Sequence, residues 1–464
     1  MRGGEPRGYH ELRLRLTLLA PPSPRRIAAR AAAPKHRPLE TVRTGWRCWV
    51  AVRGYVCRMP RRILFVHHRS QLGGGPTSLA QLIRGLDARF EPHVFTPPGP
   101  AAELFAAAGA TVHTGPVAVA AHCWDSPYEG IRWLIFVREL AVLRRHRRAL
   151  KAVLRRGEFD LVHLNDSPLL PAAQLAHRYA KVVWHLRSSL AHGGSDARSR
   201  AIRRLMERWG DAAIAIDEDV AGSFRLSIPS TIVYNAAEVE QGPDPAGAKA
   251  ALGLPPGRVA VGFLGFLRRQ KGWPELVQAA RLVVAAEPNV QFVIIGGGIR
   301  PPEYFRTIQG RIFARLGLLS DDETAMRDEV DELGLSGHFS FLPFSADPST
   351  AYRAVDIVAF PNQGVGLGRP VLEAAAYGKP VIASGSRRGA GILLPEQTGI
   401  LLGDPTPEAI ANAILLLVRD DTLRARLGQA AGEHARIAFD PSLNARLVER
   451  VYDELLGTEP GNRQ

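Results

Sequence analysis

Two hydrophobic patterns alternate along the chain. Short apolar runs bounded by turn residues predict buried strands. Between them, apolar residues recur every three or four positions, the mark of amphipathic helices. In the first half the predicted strands are Ile63–His67, Pro92–Thr96, Asp160–Leu164, Val182–His185, Ala212–Ile216 and Thr231–Tyr234. Helices are predicted at Ser78–Leu86, Ala101–Ala108 and Ala172–Arg178. Strands that alternate with helices build a parallel sheet covered on both faces. Residues 236–258 break the pattern with Gly242-Pro243, Asp244-Pro245 and Pro255-Pro256-Gly257, which read as a linker. The alternation then restarts with strands Val259–Leu264, Val290–Ile295, Phe339–Leu342, Ile357–Phe360 and Pro380–Ala383, and helices Pro274–Ala286, Thr406–Arg419 and Asp421–His434. A helical insertion is expected near residues 299–330, where the rhythm is interrupted for longer than a loop needs. The predicted organisation is an α/β domain at 59–240, a linker at 241–258, a second α/β domain at 259–436 and a terminal segment at 437–464. Two such domains leave a cleft, a favoured place for a ligand.

Composition narrows the class. With 46% apolar and 22% charged residues the chain is neither disordered throughout, nor a coiled coil, nor a collagen. It holds no run of 18 apolar residues, so no membrane-crossing helix is predicted. Three cysteines exclude a disulfide framework and supply no zinc-site spacing, which fits a reducing, cytoplasmic compartment. The net charge of +14 is uneven. Residues 1–58 hold 13 Lys and Arg against three acids, so +10 of it lies there and the body is only mildly basic. That segment is rich in Arg, Pro and Ala, has no sustained period, and is predicted disordered. Its longest apolar stretch, Leu16–Ala20, is too short for a secretory signal. Met59, directly before the first strand, is an alternative start, with residues 1–58 a misassigned beginning.

Arg138–Arg156 predicts a basic amphipathic helix. Arg138, Arg144, Arg145, Arg147, Arg148, Lys151, Arg155 and Arg156 accompany Leu140, Leu143, Leu150, Val153 and Leu154 at helical spacing. It fits a solvated face over a core stripe, or a docking surface for anionic lipid. No aromatic residues interleave with the charge, so nucleic acid is not an expected partner.

Candidate chemistry gathers at glycine-rich turns. Gly73-Gly74-Gly75 and Gly296-Gly297-Gly298 each follow a predicted strand, where backbone amides can face an anion. Neither fits G-x-G-x-x-G, and no Walker sequence or G-x-S-x-G elbow occurs. The most informative stretch runs from Pro361 to Ala374. After a strand, Gly364, Gly366 and Gly368 lead into a helix with Pro370 at its start, so loop amides and helix dipole together suit a diphosphate or sugar hydroxyls. Glu373, expected in the first turn, can accept both hydroxyls of a ribose. In a second stretch, Gly262–Leu276, a strand ends in a basic loop with Arg268, Arg269 and Lys271-Gly272. A cation there can neutralise a leaving diphosphate without a metal.

These stretches, in this order, resemble the retaining GT-B glycosyltransferases of family 4, over roughly Arg61 to Tyr452. The resemblance rests on Ile63–Val66 with Gly73-Gly74-Gly75, Asp160-Leu161-Val162-His163, Val233-Tyr234-Asn235-Ala236 and Gly265 through Gly272. It continues with Val355 through Asn362, Val365-Gly366-Leu367-Gly368 through Glu373-Ala374, Gly378 through Ala383, and Thr398-Gly399-Ile400-Leu401. It implies two Rossmann-like domains with parallel sheets facing across a cleft, an acceptor domain first and a nucleotide-sugar domain second. The final helix, about Ser442–Leu456, crosses back to the first domain. It further implies that Glu373 binds the donor ribose and Lys271 the donor diphosphate. Gly265, Gly296 and Gly297 belong to the donor side, where Gly366, Leu367 and Gly368 present amides. Gly74, Gly75 and Asn235 line the phosphate and acceptor side. His185 and Arg187 lie near the family's sugar-facing His, with Arg187 at its position.

Two departures stand out. Val365 replaces the first Glu of the family's pair, and Phe266 replaces an Arg after Gly265, for which Arg268 or Arg269 can substitute. The expected reaction is metal-independent transfer of a sugar, with retention, from a nucleoside-diphosphate sugar to a hydroxyl of a saccharide or lipid-linked acceptor. No cofactor is expected. The setting would be cell-surface polysaccharide synthesis, in the cytoplasm or peripheral on the inner face of the plasma membrane. A sugar-nucleotide epimerase of the same shape, or an inactive binding protein, is the alternative.

Overall fold

A computed structural model describes residues 60–120, 133–190, 194–298, 300–343, 348–364, 366–386 and 389–457, with backbone alone for 50–52, 55–57 and 133–140. The expected disorder of residues 1–58 lies mostly outside the described residues. The exception is a small antiparallel pair, β1 (Val50–Val52) with β2 (Tyr55–Cys57), which the composition-based reading had passed over. Its β-branched and aromatic residues suit strands.

The first domain is a seven-stranded parallel sheet of β3 (Arg61–Val66), β4 (Phe90–Thr96), β5 (Thr111–Thr114), β6 (Leu161–Asn165), β7 (Lys181–Leu186), β8 (Ala212–Ala215) and β9 (Ser230–Ile232). Its spatial order is β5-β4-β3-β6-β7-β8-β9. Helices α1 (Gly74–Gly85), α2 (Pro100–Ala107), α3 (Trp133–Gly157), α4 (Leu170–Ala176), α5 (Ala197–Trp209) and α6 (Glu218–Phe224) connect these strands. The second domain is a six-stranded parallel sheet of β10 (Val259–Leu264), β11 (Val290–Ile295), β12 (Phe339–Leu342), β13 (Ile357–Phe360), β14 (Val381–Ala383) and β15 (Gly399–Leu401). Its order is β12-β11-β10-β13-β14-β15. Both sheets are doubly wound, with a switch point where the order reverses, beside β3 and β6 in one and β10 and β13 in the other. Ligands bind such sheets outside the carboxyl ends of the strands at that point.

The remaining helices are α7 (Pro245–Ala251), α8 (Trp273–Ala286), α9 (Pro302–Arg306), α10 (Ile308–Arg315), α11 (Asp322–Glu332), α12 (Ser349–Ala354), α13 (Arg369–Ala376), α14 (Pro407–Arg419), α15 (Asp421–Ala438) and α16 (Pro441–Leu456). Helix α7 lies inside the expected linker. Asp244 caps it by accepting from the Gly247 amide at 2.7 Å, and Pro245 opens it. Turn residues in the sequence thus marked a helix start rather than a structureless link. The segment expected as an insertion, near 299–330, is helical: it holds α9, α10 and most of α11. On α3, Leu150 and Leu154 are buried while Arg144, Arg145, Arg148, Lys151, Arg155 and Arg156 are exposed.

Helix α16 belongs to the first domain. Ala445, Val448, Val451 and Tyr452 sit in the same buried cluster as Ile63, Phe65, Leu79 and Ile83. Burying Val448, Val451 and Tyr452 is worth roughly 1.5–3 kcal/mol each. Arg89, before β4, clamps the helix through Asp453 at 2.8 Å and Glu449 at 3.3 Å.

Candidate active site between the two sheets

On the second domain, three loops meet at the switch point. Gly272 stands at φ +80°, and a Cβ there would lie 1.8 Å from the Pro361 carbonyl oxygen, so only glycine lets the loops approach. The Gln363 amide donates to the Gln270 carbonyl at 2.9 Å, tying the loop after β10 to the loop after β13. At Gly296 (φ +151°) a Cβ would meet the Gly265 carbonyl oxygen at 1.9 Å, and the Leu267 amide donates to the Gly297 carbonyl at 3.0 Å. Gly265, Gly296 and Gly297 therefore make the close packing that fixes the basic loop. Asn362 organises the next turn, donating to the carbonyls of Gly366 at 2.7 Å and Gly364 at 3.1 Å. The Gly366 amide is spent on the Gly385 carbonyl at 2.7 Å. The amides of Leu367 and Gly368 take no partner among the described residues. They precede α13, whose N-terminus lacks a side-chain cap. Two free amides at a helix N-terminus are suited to an anion.

Lys271 stands beside them. Its ammonium lies 5.2 Å from the Phe360 ring centroid and has no ion pair among the described residues. Burial, and then Arg268, push its pKa down to about 8. Burial and then Arg69 of the first domain lower Arg268, with Asp322 opposing. Arg269 instead stacks on Trp273, 5.3 Å from the ring centroid. Three cations, Arg69, Arg268 and Lys271, thus border one edge of the cleft. Phe266 is 43% exposed and faces Gly73, where a Cβ would be 3.7 Å from its ring.

Glu373 lies in the second turn of α13, not the first, because Gly368 is the N-cap and the helix starts at Arg369. Its carboxylate accepts from the Tyr352 hydroxyl at 2.7 Å and from Arg369 at 2.7 and 2.8 Å. Arg369 also crosses the cleft. It donates to Ser78 Oγ at 2.7 Å, Gln81 Oε1 at 3.3 Å and the Ala236 carbonyl at 3.4 Å. Gly74 makes room for it, since a Cβ there would be 3.0 Å from Arg369 Cδ; at Gly75 it would be 3.8 Å from His67. The triple-glycine turn is thus the surface on which the second domain rests.

On the first domain, the ends of β3, β6 and β7 carry a buried polar network. Tyr452 meets His163 Nδ1 at 2.7 Å, His163 Nε2 meets His185 Nδ1 at 3.0 Å, and Asn165 Nδ2 meets His67 Nδ1 at 2.8 Å. Arg187 donates to Asn165 Oδ1, to Asn235 Oδ1 at 2.6 Å and to His185 Nδ1 at 3.4 Å. Burial holds all three histidines well below their ordinary range, so they are neutral near pH 7. Asp166 stands at φ 108°, a conformation L side chains rarely adopt. Its carboxylate holds the turn by accepting from the amides of Ser167 at 2.9 Å and Arg187 at 3.2 Å, and from the Ser188 hydroxyl at 2.8 Å.

The structure therefore gathers Lys271, Arg268, Glu373, Leu367 and Gly368 on one wall and His185, Arg187, Asn235, Gly74 and Gly75 on the other. Arg269 and Gly366 are occupied within their own loops. Val365 lies outside the described residues. Sequence reasoning missed Arg369, Tyr352, His67, Asn165 and Tyr452. His67 and Asn165 were findable as polar residues at the ends of strands beside the switch point. Tyr352 and Tyr452 carried no local signal, because each reaches the site through tertiary packing.

Known proteins share this two-domain fold. Residues 247–434 match the family Glycosyl transferases group 1, and residues 72–241 match Glycosyltransferase Family 4. The two matches cover the second sheet and all of the first but β3, and the chain is a glycosyltransferase of GT-B fold. The D-inositol 3-phosphate glycosyltransferase of Corynebacterium glutamicum (strain R) is 28% identical over 335 residues, 65% of this chain and 73% of that protein. The lipopolysaccharide core biosynthesis mannosyltransferase LpcC of Rhizobium leguminosarum bv. viciae is 29% identical over 320 residues, 64% of this chain and 85% of that protein. The crystal structure of Anabaena Alr3699/HepE in complex with UDP and glucose has a TM-score of 0.68 at 19% identity, covering 85% of this chain and all of that one. Sucrose-phosphate synthase from Thermosynechococcus elongatus has a TM-score of 0.63 at 20% identity, over 86% of this chain and 99% of that one. At these identities the two structures establish the shared fold.

Proposed function

We propose that the protein transfers a sugar from a nucleoside-diphosphate sugar to a hydroxyl of a saccharide or lipid-linked acceptor, with retention and without a metal ion or cofactor, in cell-surface saccharide synthesis. The observation that carries this reading is Lys271, an unpaired ammonium beside the free amides of Leu367 and Gly368, one helix end from the Glu373 carboxylate. That set suits a diphosphate followed by a ribose. As the sugar–phosphate bond breaks, charge grows on the leaving diphosphate, and Lys271, Arg268 and the α13 N-terminus stabilise it. The acceptor hydroxyl approaches from the wall of His185 and Arg187 and passes its proton to an oxygen of the leaving diphosphate as the new bond forms. Attack from the face the diphosphate leaves preserves the anomeric configuration. Relatives named for lipopolysaccharide core and inositol 3-phosphate glycosylation support a polyol or saccharide acceptor. Anabaena HepE, with UDP and glucose in its crystal, supports a nucleotide donor.

The test is a panel of UDP-, GDP- and ADP-sugars assayed for nucleoside diphosphate release, with the product anomer read by NMR. Turnover of one donor, an acceptor-dependent product of retained configuration and loss in Lys271→Ala and Glu373→Ala support the reading. Release of free 2-epimer sugar with no acceptor would make the protein an epimerase; tight donor binding without turnover would make it a binding protein. The reading extends to an anionic membrane face, supported by the exposed basic side chains of α3. No helix among the described residues is long and apolar enough to cross a membrane. Sedimentation with phosphatidylglycerol vesicles, abolished by reversing Arg144, Arg148 and Lys151 to Glu, tests that extension.

A further inference from the structure

The polar network on the first domain has a directional property. Arg187 can only donate, so His185 Nδ1, 3.4 Å from its guanidinium, is an acceptor. His185 Nε2 therefore carries the proton. His163 Nε2 must then donate to His185 Nδ1, and the Tyr452 hydroxyl donates to His163 Nδ1. The same logic fixes His67. Asn165 Oδ1 accepts from Arg187, so its Nδ2 donates to His67 Nδ1 and the His67 proton is on Nε2. Both Nε2–H groups are buried, and neither has a hydrogen-bond partner among the described residues. His67 is 1% exposed and His185 4%. A buried donor left unmatched is costly, and such groups call for an explanation.

Arg187 sharpens the point. Among the described residues its guanidinium makes no ion pair; its oxygen partners are the neutral amides of Asn165 and Asn235. The carboxylate of Asp166, which acts on it electrostatically, is taken up by Ser167, Ser188 and the Arg187 backbone amide. Burial lowers the Arg187 pKa to about 9, with Asp166 opposing and Arg369 adding to the effect. His185, Arg187 and Asn235 line a pocket closed by Ser78 of α1 and by Asn444 of α16, whose side-chain oxygen is also unpartnered. Apart from that oxygen, which suits a hydroxyl, the unmatched groups here are donors or a cation.

We propose that this pocket, with about 20 Å³ of free space, receives an oxygen of an anionic group, a carboxylate or a phosphate, carried by one of the two substrates. That oxygen accepts from the Arg187 guanidinium and His185 Nε2–H. The inference rests on the transferase reading for the word substrate; the anion site itself rests on the residues above. The pocket shares Ser78 and Ala236 with Arg369, so the anion lies against the same edge of the cleft as the donor wall.

The test uses the full chain with Arg187→Gln, Arg187→Lys and His185→Gln. A donor arm compares UDP-glucuronate with UDP-glucose, and GDP-mannuronate with GDP-mannose. An acceptor arm compares inositol 3-phosphate with inositol. A third arm measures thermal stabilisation by inorganic phosphate, which needs no turnover. We expect the wild type to favour the anionic member of one arm by about tenfold or more, the worth of a charge-assisted hydrogen bond. Arg187→Gln should erase that preference by lowering use of the anionic member about tenfold more than use of the neutral one, and Arg187→Lys should keep part of it. The arm in which the preference falls names the substrate that carries the anion. Because the change removes a half-buried cation with no ion pair among the described residues, Arg187→Gln should melt no lower than wild type. Equal use of both members in both arms, with phosphate stabilisation unaltered by Arg187→Gln and His185→Gln, would overturn the proposal. If no donor is turned over yet phosphate stabilises the wild type and not Arg187→Gln, the transferase reading falls and the anion site stands.

Discussion

Replacing Lys271 with Met removes the ammonium and keeps the length of the side chain. Burial and Arg268 bring this group from 10.5 to about 8. At ~1.4 kcal/mol per pH unit, that difference places roughly 3 kcal/mol against the charged form in the free protein. A diphosphate at contact distance reverses the balance, since two opposite charges 4 Å apart attract by about 4 kcal/mol at an effective dielectric of 20. Donor binding should thus restore the ordinary pKa. The sign follows directly: affinity is full below pH 8 and declines as pH rises through 8 toward 10.5, by roughly 70-fold between pH 7 and pH 10. At pH 7, Lys271→Met should weaken donor binding by about 10²-fold or more. Its own pH profile should be flat over that range, which separates Lys271 from other groups that titrate there. Stability should move the other way. A lysine whose folded pKa is depressed penalises the fold while charged. Lys271→Met should therefore be more stable by up to ~3 kcal/mol below pH 8, a gain that fades between pH 8 and 10.5. Calorimetric titration of the nucleoside diphosphate across pH, beside urea denaturation at pH 7 and 10, reads both. A wild-type profile flat from pH 7 to 10, or a variant that binds within threefold of wild type, would refute the role given to Lys271.

Gly272→Ala should cost more than about 3 kcal/mol, because its Cβ would lie 1.8 Å from a backbone oxygen at φ +80° and neither side can yield; a lowered urea midpoint together with lost nucleotide binding would show it. Tyr352→Phe removes the hydroxyl that holds Glu373 at 2.7 Å, and should raise donor KM by roughly five- to twentyfold with kcat nearly unchanged. A kcat loss of the same size would place Tyr352 in the chemistry instead. Arg89→Met leaves Glu449 and Asp453, each 4% exposed at the side chain, without their guanidinium. Because Arg89 itself is 39% exposed, the expected loss is about 2 kcal/mol rather than the 3–5 kcal/mol of a fully buried pair, and adding Glu449→Gln should return part of it in the same denaturation assay.

How far the sequence spoke differs between the two walls. Strands with continuous apolar runs, such as Val290–Ile295 and Ile357–Phe360, matched the observed limits because both faces of a parallel strand are covered. Two short edge strands did not stand out. Thr111–Thr114 and Gly399–Leu401 are half covered and carry few apolar residues in a row. Helix α5 was also missed, since its Arg-rich face masks a narrow stripe of Ile202 and Met206. On the donor wall the glycine loops named themselves, because steric need for glycine is a local property. Arg369 did not, since its meaning comes from Ser78 and Gln81 across the cleft. The histidine network stayed hidden for the same reason: strand ends far apart in sequence meet only in the sheet.

The return of α16 to the first domain also sets the order in which the molecule can fold. Tyr452 bonds to His163, 289 positions earlier, and Val448 and Val451 close the layer over Ile63 and Phe65. During synthesis the first sheet must therefore wait, with an apolar face uncovered, until nearly the whole second domain has been made. Contacts so distant form slowly, because a long loop must close before they give anything back. A circular permutant that places Pro441–Leu456 ahead of Arg61 should let the first domain fold early and alone, and should aggregate less when refolded from denaturant.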